Sequence, residues 1–255
     1  MERDDLASLA GFFAHGARLA PGETVSLGEE AAHHMRVRRL DVGSRVYLAD
    51  GAGNQATGTL TRLSKRDADV SVVHVAHTPR TYDVHVLVPI SDRDRMLWLA
   101  EKAAELGVAS WRPVMWTRSR SVSPRGEGEA FGARVGGRMR AALLQAHSPW
   151  LPSLHADASP AAAVGALPAS GSRLVLDAGG EPILRRPVVA PVTVAVGPEG
   201  GLESSEQRML ADCGFHPVSL GANVLRFETA AVAAVAVVRS VLAVSAEPTE
   251  QPLET

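Results

Sequence analysis

Cysteine is almost missing: the 255 residues contain only Cys213. An internal disulfide and a cysteine-based zinc site are excluded, and a chain without cross-links suits a reducing, cytoplasmic compartment. Lysine is nearly as scarce, with Lys65 and Lys102 alone, so the positive charge is carried by arginine. Genome composition explains that bias as readily as phosphate recognition does. The formal net charge of −2 lacks the global basic excess of a nucleic-acid binder, and any basic surface must be local. No uncharged apolar run approaches the length needed to cross a bilayer. The charges at Glu2, Arg3, Asp4 and Asp5 argue against a leader, and no membrane partner is expected.

With 45% hydrophobic and 21% charged residues, the chain has the composition of a globular protein long enough for two domains. Residues 1–78 read as a small β-rich barrel. Val25 to Leu27, Arg45 to Ala49, Ala56 to Leu63 and Ala68 to Ala76 are β-prone and separated by turn residues. Glu29 to Arg38 has helical spacing and ends in Arg36, Arg38 and Arg39, a cluster suited either to phosphate contacts or to a solvated basic face. His33 and His34 are adjacent, roughly 100° apart on a helix, and do not chelate one metal. No metal is expected. Ala76 to Thr81 reads as a linker, after which residues 82–245 follow the rhythm of a parallel α/β fold. Its strand candidates are Val84 to Ile90, Ser110 to Met115, Arg173 to Leu176, Val192 to Val196 and Pro217 to Leu220. A first helix from Asp94 to Leu106 carries Ser91 with Asp94 as a capping signal, and a helix is expected before each of the last two strands. The acidic, proline-containing tail 246–255 reads as disordered.

Ligands of parallel sheets bind beyond the carboxyl ends of the strands, here Leu176 to Gly179, Gly197 to Gly201, and Leu220 to Asn223. The central one, Val192 to Gly201, is an apolar run that stops in Gly-Pro-Glu-Gly-Gly and then enters a helix marked by Ser204 and Gln207. Paired glycines there suggest backbone lining a pocket. A P-loop is excluded because Leu202-Glu203 stands where lysine is required, and the G-x-G-x-x-G dinucleotide fingerprint is absent. Glu199 and Glu203 disfavour a pyrophosphate. A cationic ligand with a hydrogen-bonding base fits better; a purely structural turn is the competing reading. Separately, Arg112 to Arg140 concentrates seven arginines against Glu127 and Glu129 and includes a polar, Gly-rich stretch expected to be an exposed mobile loop. Arg118, Arg120 and Arg125 are candidate polyanion contacts, with a solvated loop as the alternative.

GPEGG at 197–201 and LGANVLRFETAAVAA at 220–234, in that order and separation, resemble the signature of the SPOUT class of methyltransferases. More narrowly, the chain resembles the RsmE family of 16S ribosomal RNA uridine N3-methyltransferases. The likeness includes HHMRVRRLDVGSRVYLADGAGN, EKAAELGVASWRPVMWTRS, QAHSPWLP and RLVLDAGG. The resemblance implies an N-terminal PUA-like β-barrel that binds RNA, then a SPOUT parallel sheet with a trefoil knot. It implies a homodimer and an S-adenosylmethionine site at Leu176, Asp177, Val196, Gly197, Pro198, Glu199, Gly200, Gly201, Leu220, Gly221, Val224, Leu225 and Arg226. The substrate implied is ribosomal RNA, on the assembled small subunit. Arg226 is the candidate donor to charge developing on the uracil oxygens. Glu228 is a candidate general base, although a helix-opening glutamate more often serves the helix dipole. Two departures remove positive charge: Ala146, His147, Ser148 and Pro149 stand where the family carries an arginine, and Asp92 where it carries a lysine. The alternative reading is a non-catalytic RNA-binding protein of ribosome assembly, or a divergent member, on the same scaffold.

Overall fold

The computed structural model describes residues 8–121 and 125–246; the side chains at 120, 121, 245 and 246 lie outside that description, as does the tail from 247 on which the disorder expectation falls. Two compact units emerge: residues 8–80 with Arg140–Leu151, and residues 81–139 with 152–246. In this division Arg140–Leu151 goes with residues 8–80, where the sequence reading has it within 82–245.

In the first unit, β1 (Ala10–Phe13), β2 (Thr24–Leu27), α1 (Glu29–Val37), β3 (Arg45–Ala49), β4 (Asn54–Leu63) and β5 (Ala68–His77) follow in order. They form a five-stranded sheet, β1-β3-β4-β5-β2, antiparallel except for β1 beside β3. β1 was not read from sequence. Its short Ala-Gly-Phe-Phe segment acquires strand geometry only by pairing with Val46 to Ala49, some 36 residues on. Phe12, Val25, Leu27, Met35, Leu48, Leu60 and Val70 close the core. The segment Arg140–Leu151 joins this unit because Leu143 is buried against Tyr47 and Ala49, with Leu144 and Leu151 packed alongside. A polar pin accompanies that contact. Gln55 Nε2 donates to Tyr47 Oη at 2.7 Å and to the His147 carbonyl at 2.9 Å. Burial raises the Tyr47 phenol above its ordinary pKa against the opposing effect of the Gln55 hydrogen bond.

In the second unit, β6 (Val84–Pro89), α2 (Arg93–Glu105) and β7 (Ser110–Val114) come first, then a 3₁₀ turn, Thr117–Ser121. α3 (Glu129–Gln145, counted with the first unit from Arg140 on), β8 (Ser153–Leu154), α4 (Pro160–Gly165), β9 (Ser172–Pro182), β10 (Val192–Ala195), α5 (Ser204–Asp212), β11 (His216–Ser219) and α6 (Phe227–Ala246) complete the described elements. The sheet order is β11-β9-β10-β6-β7-β8, and every pairing is parallel. The helix expected before β10 is absent; β9 runs on to Pro182 and a single 3₁₀ turn, Ile183–Arg185, follows. Asp92, not Ser91, caps α2, its Oδ1 accepting from the amides of Asp94 and Arg95 at 3.1 and 3.0 Å. The Gly-rich stretch after β7 is not wholly free, since Arg125 bridges Asp92 and the Gly126 amide donates to the Ser91 carbonyl.

α6 is long and apolar enough over Phe227–Val244 to cross a membrane, a property that a search for uncharged runs overlooks because Glu228 and Arg239 interrupt it. Here one face of it packs against α2, β6 and β10, burying Phe227, Ala231, Val235, Val238 and Leu242, while Val244 on another face stays exposed.

Gly58 marks how tightly β4 and β5 approach. A Cβ there would stand 2.5 Å from Val70 Cγ1 and 2.7 Å from the Ser71 carbonyl oxygen, beside a register shift. Gly58→Ala is expected to cost about 2 kcal/mol or more in urea denaturation followed by circular dichroism. An unchanged midpoint would mean that the strands are not locked at this point.

Candidate functional site

Three neighbouring strands, β11, β9 and β10, open into one cavity at their carboxyl ends. β10 delivers Val196, whose amide donates to the Leu87 carbonyl at 2.9 Å and whose carbonyl accepts from the buried Trp116 indole at 3.1 Å. The chain then turns through Gly197, buried Pro198, Glu199, Gly200 and Gly201, the last at φ +74°. β9 contributes differently from the loop read in the sequence. It pairs with β11 at Val175, then again only at Glu181, opposite consecutive residues Pro217 and Val218. Residues 176–180 are thus a five-residue excursion within the strand, not a loop after it. The Asp177 carboxylate shapes the excursion by accepting the Gly179 amide at 2.8 Å. Gly180 allows the return, because a Cβ would meet the Pro217 carbonyl carbon and Val218 nitrogen at 2.6 Å. β11 ends at Ser219, and Leu220 to Arg226 lead into α6.

The cavity measures about 410 Å³ and is lined by Leu176, Asp177 and Ala178, by Val196 to Glu199 with Gly201 and Leu202, and by Val218 to Gly221, Asn223 to Leu225 and Phe227. Arg118, Gln207 and Ala230 complete the wall. That size lies within the range of small-molecule sites, and its walls mix apolar side chains with charged and polar groups and exposed backbone.

Two arginines and a glutamate hold the Gly-rich turn. Glu206, nearly fully buried, accepts the Thr117 amide at 2.8 Å and the Thr117 hydroxyl at 3.0 Å on Oε1, and the Glu203 amide at 2.8 Å on Oε2. The cap of α5 is therefore Glu203 with Glu206, one residue earlier than Ser204 with Gln207. Arg118 donates from Nε to Glu203 at 2.8 Å and from Nη1 to the Gly200 carbonyl. Across the turn, Arg95 of α2 pairs with Glu199 and lies 3.9 Å from Glu228 Oε1. The other Glu228 oxygen is buried and has no hydrogen-bond partner among the described residues.

Of the residues expected to bind cofactor, all line the cavity except Gly200, which lies under the Arg118 side chain, and Arg226. Arg226 is exposed between the lining residues Leu225 and Phe227, and its guanidinium makes no hydrogen bond or ion pair among the described residues. Glu228 is buried beside the cavity but does not line it. Arg118, expected to face a polyanion, forms the cavity wall instead. Arg125 pairs with Glu127 at 2.9 Å, and Arg120 lies outside the described side chains. In the first unit, Arg36 is committed to the Ser64 and Lys65 carbonyls of the β4–β5 turn, whereas Arg38, bonded to His34, and Arg39 stay exposed. Sequence reasoning missed Arg95, which reads as an ordinary helix position, and Glu206, whose signal is its place three residues after Glu203. Among the described residues no group of His, Cys, Asp and Glu could hold a metal.

Residues 78–239 match the family described as RNA methyltransferase domain, and residues 27–73 match the RNA methyltransferase PUA domain. The chain belongs to the RNA methyltransferase family. A relative from Rickettsia conorii, "Ribosomal RNA small subunit methyltransferase E", is 24% identical over 88% of this chain and 92% of its own. Two solved structures share the fold. One, a ribosomal RNA small subunit methyltransferase E from Neisseria gonorrhoeae bound to S-adenosyl methionine, has a TM-score of 0.83 and 27% identity over 91% of this chain and 98% of its own. The other, a putative methyltransferase from Legionella pneumophila with S-adenosyl methionine, has a TM-score of 0.82 and 27% identity over 91% and 97%. The family to which the GPEGG and LGANVLRFETA motifs pointed is the one these relatives represent.

For this RNA methyltransferase, Glu206→Ala is expected to lower stability by about 2 kcal/mol, since a buried charged acceptor of three hydrogen bonds is lost, and Glu206→Gln by about half as much. Chemical denaturation measures both. Alanine as stable as wild type would remove Glu206 from its organising role.

Proposed function

We propose that the protein transfers a methyl group from S-adenosylmethionine to N3 of a uridine in small-subunit ribosomal RNA, on the assembled subunit. The observation that carries the proposal is the cavity beyond β11, β9 and β10, whose walls combine apolar side chains, Gly-rich backbone and carboxylates. Leu176, Val196, Leu220 and Leu225 suit an adenine ring, while exposed backbone groups at Gly197 and Gly221 suit its hydrogen-bonding edge. Asp177 suits a cation and disfavours a phosphate, and Glu199 adds a carboxylate already balanced by Arg95. These residues fit S-adenosylmethionine, which when bound supplies an electrophilic methyl on a sulfonium. A binding protein without chemistry has no use for such a cavity.

The protein's own residues have two tasks, to align uracil N3 with that methyl and to stabilise the charge left as N3 loses its proton. Arg226 suits the second. Its guanidinium is exposed and uncommitted, yet tethered between two cavity-lining residues. Glu228 suits a structural role better than that of base, because it is buried, lies near Arg95 and is absent from the cavity wall. Arg38 and Arg39 suit phosphate contacts on the N-terminal unit. The trefoil knot implied by the resemblance belongs to the same proposal, and the sheet order, with β10 between β6 and β9, is compatible with it.

A homodimer is supported by an apolar patch on the second unit. Leu184, Val237, Val241 and Val244 line a surface depression, with Leu184 and Val244 more than two-thirds exposed. Exposed apolar area of this kind favours burial against a partner, here a second copy.

Assembled small subunits lacking the modification, incubated with the protein and S-adenosylmethionine, should gain one N3-methyluridine by nucleoside mass spectrometry. Arg226→Ala should keep cofactor affinity while turnover falls at least about tenfold, or about 1.4 kcal/mol of transition-state stabilisation. Methylation at another atom would overturn the uridine N3 assignment, and unchanged turnover would overturn the role of Arg226. By light scattering the wild type should be a dimer and Val244→Glu predominantly a monomer; a monomeric wild type would refute the dimer.

A further inference from the structure

The N-terminal unit carries an aromatic and cationic cluster that the cofactor site does not use. Trp150 is held at the surface from several sides. The Gly53 amide donates to the Pro149 carbonyl at 2.9 Å, the Leu151 amide to the Gly51 carbonyl at 2.9 Å, and Ala52 bridges Trp150 itself. The indole N–H donates to the Thr78 carbonyl at 2.8 Å, which fixes the ring plane and satisfies its one polar group. Gly53 lies directly beneath. A Cβ there would stand 2.6 Å from Trp150 Cζ2 and 2.7 Å from His77 Cε1, and the residue has φ +98°. The loop is set in turn by Asp50, whose Oδ1 accepts the Ala52 and Asn54 amides at 2.7 and 3.1 Å.

Over the Trp150 ring lies the Arg80 guanidinium, 4.5 Å from the centroid. His77 meets the same ring edge-on at 6.0 Å and is oriented by Asn54 Oδ1 at 3.0 Å from its Nδ1. Trp150 and Arg80 are partly exposed and His77 is exposed. Three planar groups are therefore presented to solvent in fixed orientation on a rigid loop.

We propose that the Trp150–Arg80 stack, edged by His77, is a platform for an unpaired nucleobase of single-stranded RNA. Bases in single strands stack on aromatic faces and on guanidinium planes, and a base in a duplex is not free to do so. A ring already immobilised loses little entropy on binding. The assignment rests on membership of the RNA methyltransferase family and is independent of the cofactor cavity.

The test is fluorescence anisotropy of the full chain with labelled oligouridine of about ten nucleotides, and with a duplex of equal length. Arg80→Ala and Trp150→Leu should each weaken single-strand binding at least about fivefold while duplex binding changes less than about twofold, and Trp150→Phe, which keeps a ring, should stay within about threefold of wild type. Single-strand affinities of both Arg80→Ala and Trp150→Leu within about twofold of wild type, or equal losses on single strand and duplex, would overturn the proposal. If Trp150→Leu loses its circular dichroism signal, Arg80→Ala decides alone. Calorimetry with S-adenosylmethionine on the same samples separates the two readings, because absence of cofactor binding refutes the methyl-transfer site and leaves the RNA result standing.

Discussion

The Glu206 carboxylate sits where two segments from opposite parts of the second unit must meet, and both of its oxygens are used there. One holds Thr117, just after β7, by amide and hydroxyl; the other holds the Glu203 amide at the entrance of α5. A buried carboxylate is costly unless its acceptors are filled, so the arrangement favours one geometry over near alternatives. Its consequence is positional. With Thr117 fixed, Arg118 reaches back over the Gly-rich turn to Gly200 and Glu203, and the turn is held between that side chain and Arg95 on its other flank. The backbone of Gly197 to Gly201 is then presented to the cavity as a fixed surface.

The second constraint is the order of strands. Because β9 lies between β10 and β11, the ends of all three open side by side, and three segments distant in sequence share one cavity. The five-residue excursion of β9 supplies Leu176, Asp177 and Ala178 to the cavity wall, and Gly180 is the residue that lets the excursion return against β11. Electrostatics then narrows what fits. Carboxylates at Asp177 and Glu199 stand in the wall, Arg118 and Arg95 beside it are already paired with glutamates, and Arg226 is exposed next to the lining residues Leu225 and Phe227. Such a site suits a ligand that is apolar over much of its surface and carries positive charge.

Strands with continuous or alternating apolar character were legible in the sequence, since burial dictates their pattern locally. β10 needed only Val192 to Ala195, and β3 only Arg45 to Ala49. β9 was legible only in its first half, because Asp177-Ala178-Gly179-Gly180 has the composition of a turn and the strand resumes only where β11 supplies a partner. Helix caps slipped by one residue at both α2 and α5. Adjacent residues there offer equivalent oxygens, and backbone geometry selects between them. The arginines were least legible. Composition counts Arg36 and Arg118 as free charge, whereas carbonyls at Ser64, Lys65 and Gly200 and the Glu203 carboxylate claim them. The attachment of Arg140–Leu151 to the first unit was equally hidden, since it depends on Leu143 meeting Tyr47 across nearly a hundred residues.

The central claim is that three separate chain segments form one S-adenosylmethionine site. Hydrogen–deuterium exchange of the full chain with and without S-adenosylmethionine tests it most directly. The account predicts slowed exchange in three peptides together, those covering residues 176–179, 197–202 and 219–225. Protection confined to one of them, or none at saturating cofactor, would contradict it.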